Sequence, residues 1–146
     1  MQPYTHICLG LAATCFFADQ PAAQTAVMIG SLVPDMPVYA KLAHSVARHG
    51  KSFQQAFQRE SETYLRWYYI FHSAIIWLVA LFYFPLWLGV NLHLLLDLIS
   101  HKNGQPLYPL FPLKIKVRGL FDYRDRKFPF WDIAVSTICL LIFFLK

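Results

Sequence analysis

The sequence predicts an all-α, membrane-associated helical bundle with a helical hairpin that turns near Pro85. Three observations carry that expectation. Apolar residues make up 57% of the chain and charged residues only 14%, against about a quarter in an ordinary soluble domain, which is too little charge to cover a soluble surface. The apolar residues fall in blocks of helical length, punctuated by Pro, Gly and Asp. Two basic stretches, with five Lys or Arg in residues 41–66 and seven in residues 102–127, flank those blocks as cytoplasmic loops flank membrane segments. At 146 residues the chain is expected to form a single domain, 1–146.

Taken in order, Thr5 reads as an N-cap and residues 7–18 as a first helix, broken by Asp19, Gln20 and Pro21. A second helix over 22–33 is expected to stop at Pro34-Asp35-Met36-Pro37. Residues 38–50 add a short helix. Residues 52–67 are amphipathic, with Phe53, Ala56, Phe57, Tyr64 and Trp67 near helical spacing, and end in an aromatic cluster suited to a membrane interface. Residues 74–90 carry no charge and approach the ~20 residues that span a bilayer. They flow into residues 91–101, which Asn103-Gly104 stops. The remaining apolar runs would be only about 20 Å long as helices. A loop rich in proline and basic residues follows over 105–130, and Asp132 reads as the N-cap of a last helix, 133–145.

The hairpin follows from topology. A straight helix over residues 71–100 would place the two basic stretches on opposite sides of a membrane. It would also hold His72 about 31 Å from His93, at 1.5 Å per residue. A turn near Pro85 puts both stretches on one side and brings His72 level with Asp97.

Several function classes are excluded on this reading. The basic residues follow no known motif and form no dense run, so no nucleic-acid partner is expected. Cys8, Cys15 and Cys139 are odd in number and lack Cys-x-x-Cys spacing, which points to buried free thiols. No basic residue precedes the first apolar run, so the N-terminus is expected to belong to the mature fold. There is no phosphate-cradling glycine loop, no Gly-x-Ser-x-Gly and no His-Glu-x-x-His.

The strongest chemical signal is His93-x-x-x-Asp97-x-x-x-His101. Spacing of four keeps the three near one helix face, and imidazole with carboxylate suits zinc, manganese or iron. His93 and His101 would stand ~12 Å apart, too far for one ion, so either two ions bind with Asp97 between them or the helix loosens at Ser100. Singly, His101 reads as a C-terminal helix charge and His93 as a hydrogen-bonded core residue. Together with Asp97 on so apolar a helix, they read as a site, because an unpaired buried carboxylate is costly. His72-Ser73 joins this set through the hairpin, with His44-Ser45 as a weaker rival. Asp35 on its own reads as a turn aspartate and His6 as a polar residue of a first helical turn. A haem held by His72 and His93 would leave Asp97 and His101 unexplained.

As an ordered set, Thr5-His6, the Gly-Ser-Leu-Val-Pro-Asp35 stop, His72-Ser73 and His93-Leu-Leu-Leu-Asp97-Leu-Ile-Ser-His101 resemble the bacterial membrane-bound metal-dependent hydrolases. These are small inner-membrane proteins that look like distant relatives of zinc-dependent phospholipase C. The resemblance covers roughly residues 6–109. It implies an all-helical fold carrying His6, Asp35, His72, His93, Asp97 and His101 as metal ligands, in the bacterial inner (cytoplasmic) membrane with the basic loops cytoplasmic. The phospholipase relatives add their amino terminus and a late glutamate to a three-zinc cluster. Here the only glutamates are Glu60 and Glu62, so two divalent ions are expected, zinc first, then manganese or iron.

The function expected is a metal-dependent hydrolase at the membrane, acting on a phosphoester or lipid-linked ester through a metal-bound water. Asp35 and Asp97 would be its catalytic carboxylates. Its partners would be membrane lipids and a small-molecule or lipid ester substrate. The alternative is a non-catalytic membrane scaffold or partner-binding protein in which the His/Asp cluster only fixes helix packing.

Overall fold

A computed structural model describes residues 3–49, 62–100, 107–121 and 128–145. Among these residues helices dominate and no strand forms, so the chain is all-α; one isolated antiparallel bridge joins Leu107 to Val117. The helices are α1 (Pro3–Thr14), α2 (Pro21–Leu32), α3 (Met36–His49), α4 (Glu62–Phe71), α5 (Phe84–Ser100) and α6 (Phe128–Phe144). Short 3-10 segments, Cys15–Phe17, Val33–Asp35 and Ile76–Phe82, link or extend them. Residues 52–61 of the amphipathic stretch, His101, Asn103-Gly104, Asp122 and Asp125 lie outside the described residues.

Prolines open these helices more than they stop them. Pro21 sits at the start of α2, Pro37 in the first turn of α3, Pro85 in that of α5 and Pro129 in that of α6. A first-turn residue has no intrahelical acceptor for its N–H, so proline loses nothing there. The expected stop at Pro34 is met, since α2 ends at Leu32. The chain passes through the 3-10 turn Val33–Asp35 and continues as α3. Between α1 and α2, Asp19 takes φ 65°, in the left-handed region that short polar side chains tolerate.

The most extensive packing is α2 against α5, followed by α1 against α2 and α6. Gly30 and Gly89 explain the first. A Cβ on Gly30 would meet the backbone carbonyl of Leu86, and one on Gly89 that of Val27, so only glycine lets these backbones approach as they do. Ala13, Ala23, Ala26 and Val27, all buried, keep this part of the interior thin. A second apolar cluster of Cys8, Ala12 and Cys139, backed by Leu9, Val135 and Leu140, joins α1 to α6. The cysteines are free, with Cys8 and Cys139 buried and Cys15 half-buried.

Helix α4 ends at Phe71, and the chain turns through residues 72–75 into the 3-10 helix Ile76–Phe82. Tyr83 leaves helical geometry at φ −134°, ψ 85°, and α5 then packs back on the 3-10 helix. The loop 107–121 clamps both ends of this arrangement. Ser73 donates its hydroxyl to the Phe111 carbonyl at 2.7 Å, and the Ala74 amide donates to Pro109 at 2.7 Å. At the other end the amides of Leu120 and Phe121 both donate to the Ile99 carbonyl of α5.

Two capping assignments are corrected. Helix α1 starts at Pro3 and α6 at Phe128, so Thr5 and Asp132 lie inside their helices. They meet across the α1–α6 interface instead: Thr5 Oγ1 donates to Asp132 Oδ1 at 2.8 Å, with both residues fully buried. Tyr4 adds a longer bond to the other carboxylate oxygen, and Ser136 donates to Thr5. A buried polar network satisfies a helical aspartate as well as a cap does. One helical run, Tyr64–Phe82, is long and apolar enough to cross a membrane by length and composition.

Candidate metal centre

Three helices and one 3-10 turn converge on a buried cluster. Helix α1 brings His6, the turn after α2 brings Asp35, the end of α4 brings His72, and α5 brings His93 and Asp97 four residues apart on one face. His6, His72, His93 and Asp97 are each at most 3% exposed. Asp35 keeps 18% of its side chain exposed and forms the accessible edge.

Each of the two central imidazoles is held from behind. His93 Nδ1 lies 2.7 Å from the Ser31 carbonyl at the end of α2, and His72 Nδ1 lies 3.0 Å from the Tyr68 carbonyl one turn back along α4. A carbonyl can only accept, so each Nδ1 carries the proton and donates it. The Nε2 atoms then point forward into the cluster. Stacking fixes the ring planes further: Tyr68 lies against His72 at 4.0 Å, and His6 against His93 at 3.8 Å, centroid to centroid.

The forward atoms face carboxylates. His72 Nε2 and His93 Nε2 lie 3.1 and 3.2 Å from Asp97 Oδ2, and 3.6 and 3.8 Å from Asp35 Oδ1. His6 Nε2 approaches the other oxygen, Asp97 Oδ1, at 3.4 Å. Neither forward nitrogen makes a hydrogen bond among the described residues, although both are buried. A buried nitrogen lone pair facing a carboxylate calls for a proton or a cation between them.

One ligand atom each from Asp35, His72, His93 and Asp97 lies within 4.8 Å of the other three. The fit to a cation can be tested on the spacing. Four ligands at ~2.1 Å around a tetrahedral ion stand roughly 3.4 Å apart. The four His–Asp separations, 3.1, 3.2, 3.6 and 3.8 Å, bracket that value, and all six pairwise separations lie within 4.8 Å. A histidine whose rear nitrogen donates to a carbonyl while its front nitrogen faces carboxylates has the arrangement that orients metal-binding histidines. The group can therefore hold a divalent metal ion.

The electrostatics at the accessible edge agree. Burial pushes the Asp35 carboxyl up, but His72 and His93 facing it outweigh burial and hold it below the usual carboxylate range, so it is ionised at neutral pH. Burial, and then the charges of Asp35 and Asp97, push the Tyr39 phenol up to about 12. Tyr39, half-buried on the first turn of α3, therefore keeps its proton beside the carboxylates.

Of the expected ligands, His6, Asp35, His72, His93 and Asp97 are brought together, while His101 lies outside the described residues. His44 is exposed on α3, which removes it as a rival to His72. Four contributors were not anticipated: the carbonyls of Ser31 and Tyr68, the Tyr39 phenol, and the Gly30–Gly89 contact that sets Ser31 against His93. Any residue offers a carbonyl, so the first two leave no mark in a sequence. The glycines sit in apolar helical runs, where close approach is a known reason for glycine. Comparison with known proteins finds no matching family model, no matching curated protein and no matching solved structure.

Proposed function

We propose that this chain is a metal-dependent hydrolase working at a membrane surface on a phosphoester or lipid-linked ester. The observation that carries the reading is the pair of buried imidazoles, His72 and His93, locked by their Nδ1 donors so that both Nε2 atoms face Asp35 and Asp97. The likeness of the ligand order to the bacterial membrane-bound metal-dependent hydrolases supports it.

Asp35, His72, His93 and Asp97 would hold one ion, zinc being the best match to a His/Asp donor set. Asp97 turns its second oxygen to His6, which would make it the bridge to a second ion. When bound, divalent cations supply Lewis acidity, making a water nucleophilic near neutral pH and offsetting charge on the substrate oxygen. The protein's own groups do the rest. The Ser31 and Tyr68 carbonyls keep the imidazoles in one tautomer. Asp35, the ionised group at the accessible edge, orients the attacking water, and the protonated Tyr39 phenol offers a hydrogen bond to a substrate oxygen.

The membrane location rests on the Tyr64–Phe82 run and on large apolar side chains left exposed, among them Phe16, Val79, Phe82, Phe130 and Phe144. The basic stretches 41–66 and 102–127 would face the cytoplasm and draw in an anionic head group, Lys41 excepted, whose buried ammonium lies over the Tyr64 ring.

The test is metal content by plasma mass spectrometry on detergent-purified protein, wild type beside Asp97→Ala. About two ions per chain, lost in the variant, together with metal-dependent cleavage of a phosphoester panel, is the expected result. Equal metal content in both proteins would sink the reading. The second reading, a scaffold, is favoured by the short His72–Asp97 and His93–Asp97 approaches, which become ion pairs if the rings are charged. It predicts no metal and a loss of stability on substitution.

A further inference from the structure

Beside the candidate metal-binding cluster lies a mostly apolar cavity of 320 Å³. Its lining joins His72 and Asp97 of the cluster to the apolar side chains of Ala74, Leu94, Leu98, Leu107 and Pro109. Leu95, half exposed, stands at the rim. The cavity runs along one face of α5 from Asp97 back to Asn91, about 9 Å at 1.5 Å per residue. Asn91 donates its amide to the Trp87 carbonyl at 2.8 Å, so even the polar residue at the far end is engaged. Among the described residues no lysine or arginine lines the space.

We propose that this cavity is the chain pocket of the candidate site: it takes one alkyl or acyl chain of the substrate, whose hydrolysable head group then lies against His72 and Asp97. The inference rests on the hydrolase reading and adds the substrate's apolar part. The size fits one short chain, because the cavity is open on one side and runs only about 9 Å along α5. The chemistry fits as well. A wall of Leu, Ala and Pro offers nothing to a sugar or peptide backbone, whereas a chain entering past Leu95 exchanges water or lipid for protein contacts. A small, mostly apolar pocket with two polar groups at one end is suited to a ligand with one reactive end.

The experiment uses a non-hydrolysable octyl phosphonate carrying a terminal diazirine, with diazirine-bearing octanol as the neutral control. Full-length, metal-loaded protein in nanodiscs is irradiated, and the labelled peptides are mapped by mass spectrometry. Two variants fill the pocket from different walls, Ala74→Trp and Leu94→Trp, so that misfolding of one leaves the other; metal content reports an intact centre. The expected result is labelling of peptides containing Leu94, Leu98 or Leu107, reduced at least tenfold in either variant with metal retained. Unlabelled phosphonates should bind about two- to fourfold more tightly per added methylene from butyl to octyl, and this dependence should vanish in the variants. Labelling confined to the outer faces of the helices, or insensitive to both variants while metal stays bound, overturns the pocket and leaves the hydrolase reading standing. Pocket labelling by the octanol probe but not by the phosphonate, or pocket labelling in protein that binds no metal, overturns the substrate role and the hydrolase reading together.

Discussion

His93 Nδ1 meets the Ser31 carbonyl at 2.7 Å across the interface where Gly30 of α2 faces Gly89 of α5. The hydrogen bond depends on the backbone approach, because a carbonyl at the end of α2 reaches an imidazole on α5 only if no Cβ separates them. The orientation of a site residue is thus set by two glycines that never touch the site.

Gly89→Ala tests this link. The added methyl would press on the Val27 carbonyl and the Ser31 amide, both backbone, so the helices must part. Overpacking of this kind costs about 1–3 kcal/mol. The variant is expected to melt at lower temperature and to bind metal more weakly even in its folded fraction, since His93 loses its rear acceptor. A thermal melt and a metal titration, side by side, check both parts. Wild-type affinity at reduced stability would show that Ser31 follows α5 when the helices shift.

The number of ions divides the roles of His6 and Asp97. His6 Nε2 lies 3.4 Å from Oδ1 of Asp97, whereas Oδ2 faces His72 and His93. His6→Ala is therefore expected to lose one ion and keep the other. Asp97→Asn should lose both, with affinity falling by more than the roughly 10- to 100-fold seen when an outer-sphere partner is removed. Metal-to-protein ratios at fixed free metal decide the matter. One ion in the wild type, unaffected by His6→Ala, would assign His6 to packing against His93.

Much of this cluster is legible in the sequence because polar side chains in apolar helices carry a cost that has to be offset. His72, His93 and Asp97 stand out for that reason, and the i, i+4 spacing places the last two on one face. Asp132 shows where the same logic stops. An aspartate near the start of an apolar helix reads as a cap, and nothing local distinguishes it from one that meets Thr5 from 127 positions away. Pro34 and Pro37 mark the end of α2 as expected, but nothing local shows that the 3-10 turn between the helices brings Asp35 to the cluster. Tyr39 is one of eight tyrosines and acquires meaning only once α3 is laid beside Asp35 and Asp97.

The Thr5–Asp132 bond yields a prediction that separates stability from metal binding. Thr5→Val removes the 2.8 Å donor to a fully buried carboxylate at nearly constant shape. Taking away one partner of a buried hydrogen bond costs about 1–3 kcal/mol. The loss falls at the α1–α6 interface, which contributes none of His72, His93 or Asp35. Denaturant unfolding is expected to show the drop, while the ion held by Asp35, His72, His93 and Asp97 stays bound with wild-type affinity. A parallel loss of that ion would mean that α1 positions the whole cluster and not His6 alone.

Metal-linked stability distinguishes the hydrolase from the scaffold most directly. A cation that binds the folded cluster and not the unfolded chain stabilises the fold by RT ln(1 + [L]/Kd), about 2.7 kcal/mol at a free concentration one hundred times Kd. Chelation should therefore lower the melting temperature of the wild type, and restored zinc should raise it in proportion to the logarithm of its concentration. Asp97→Asn should show neither response, because it removes the carboxylate that both forward imidazoles face. If the cluster were instead a set of ion pairs between charged histidines and Asp97, the signs would differ. Chelator and zinc would leave the wild type unmoved, and Asp97→Asn would itself cost several kcal/mol by leaving buried charged rings without their partner. Melting curves of the two proteins with chelator and with a zinc series distinguish these outcomes without any assumption about the substrate.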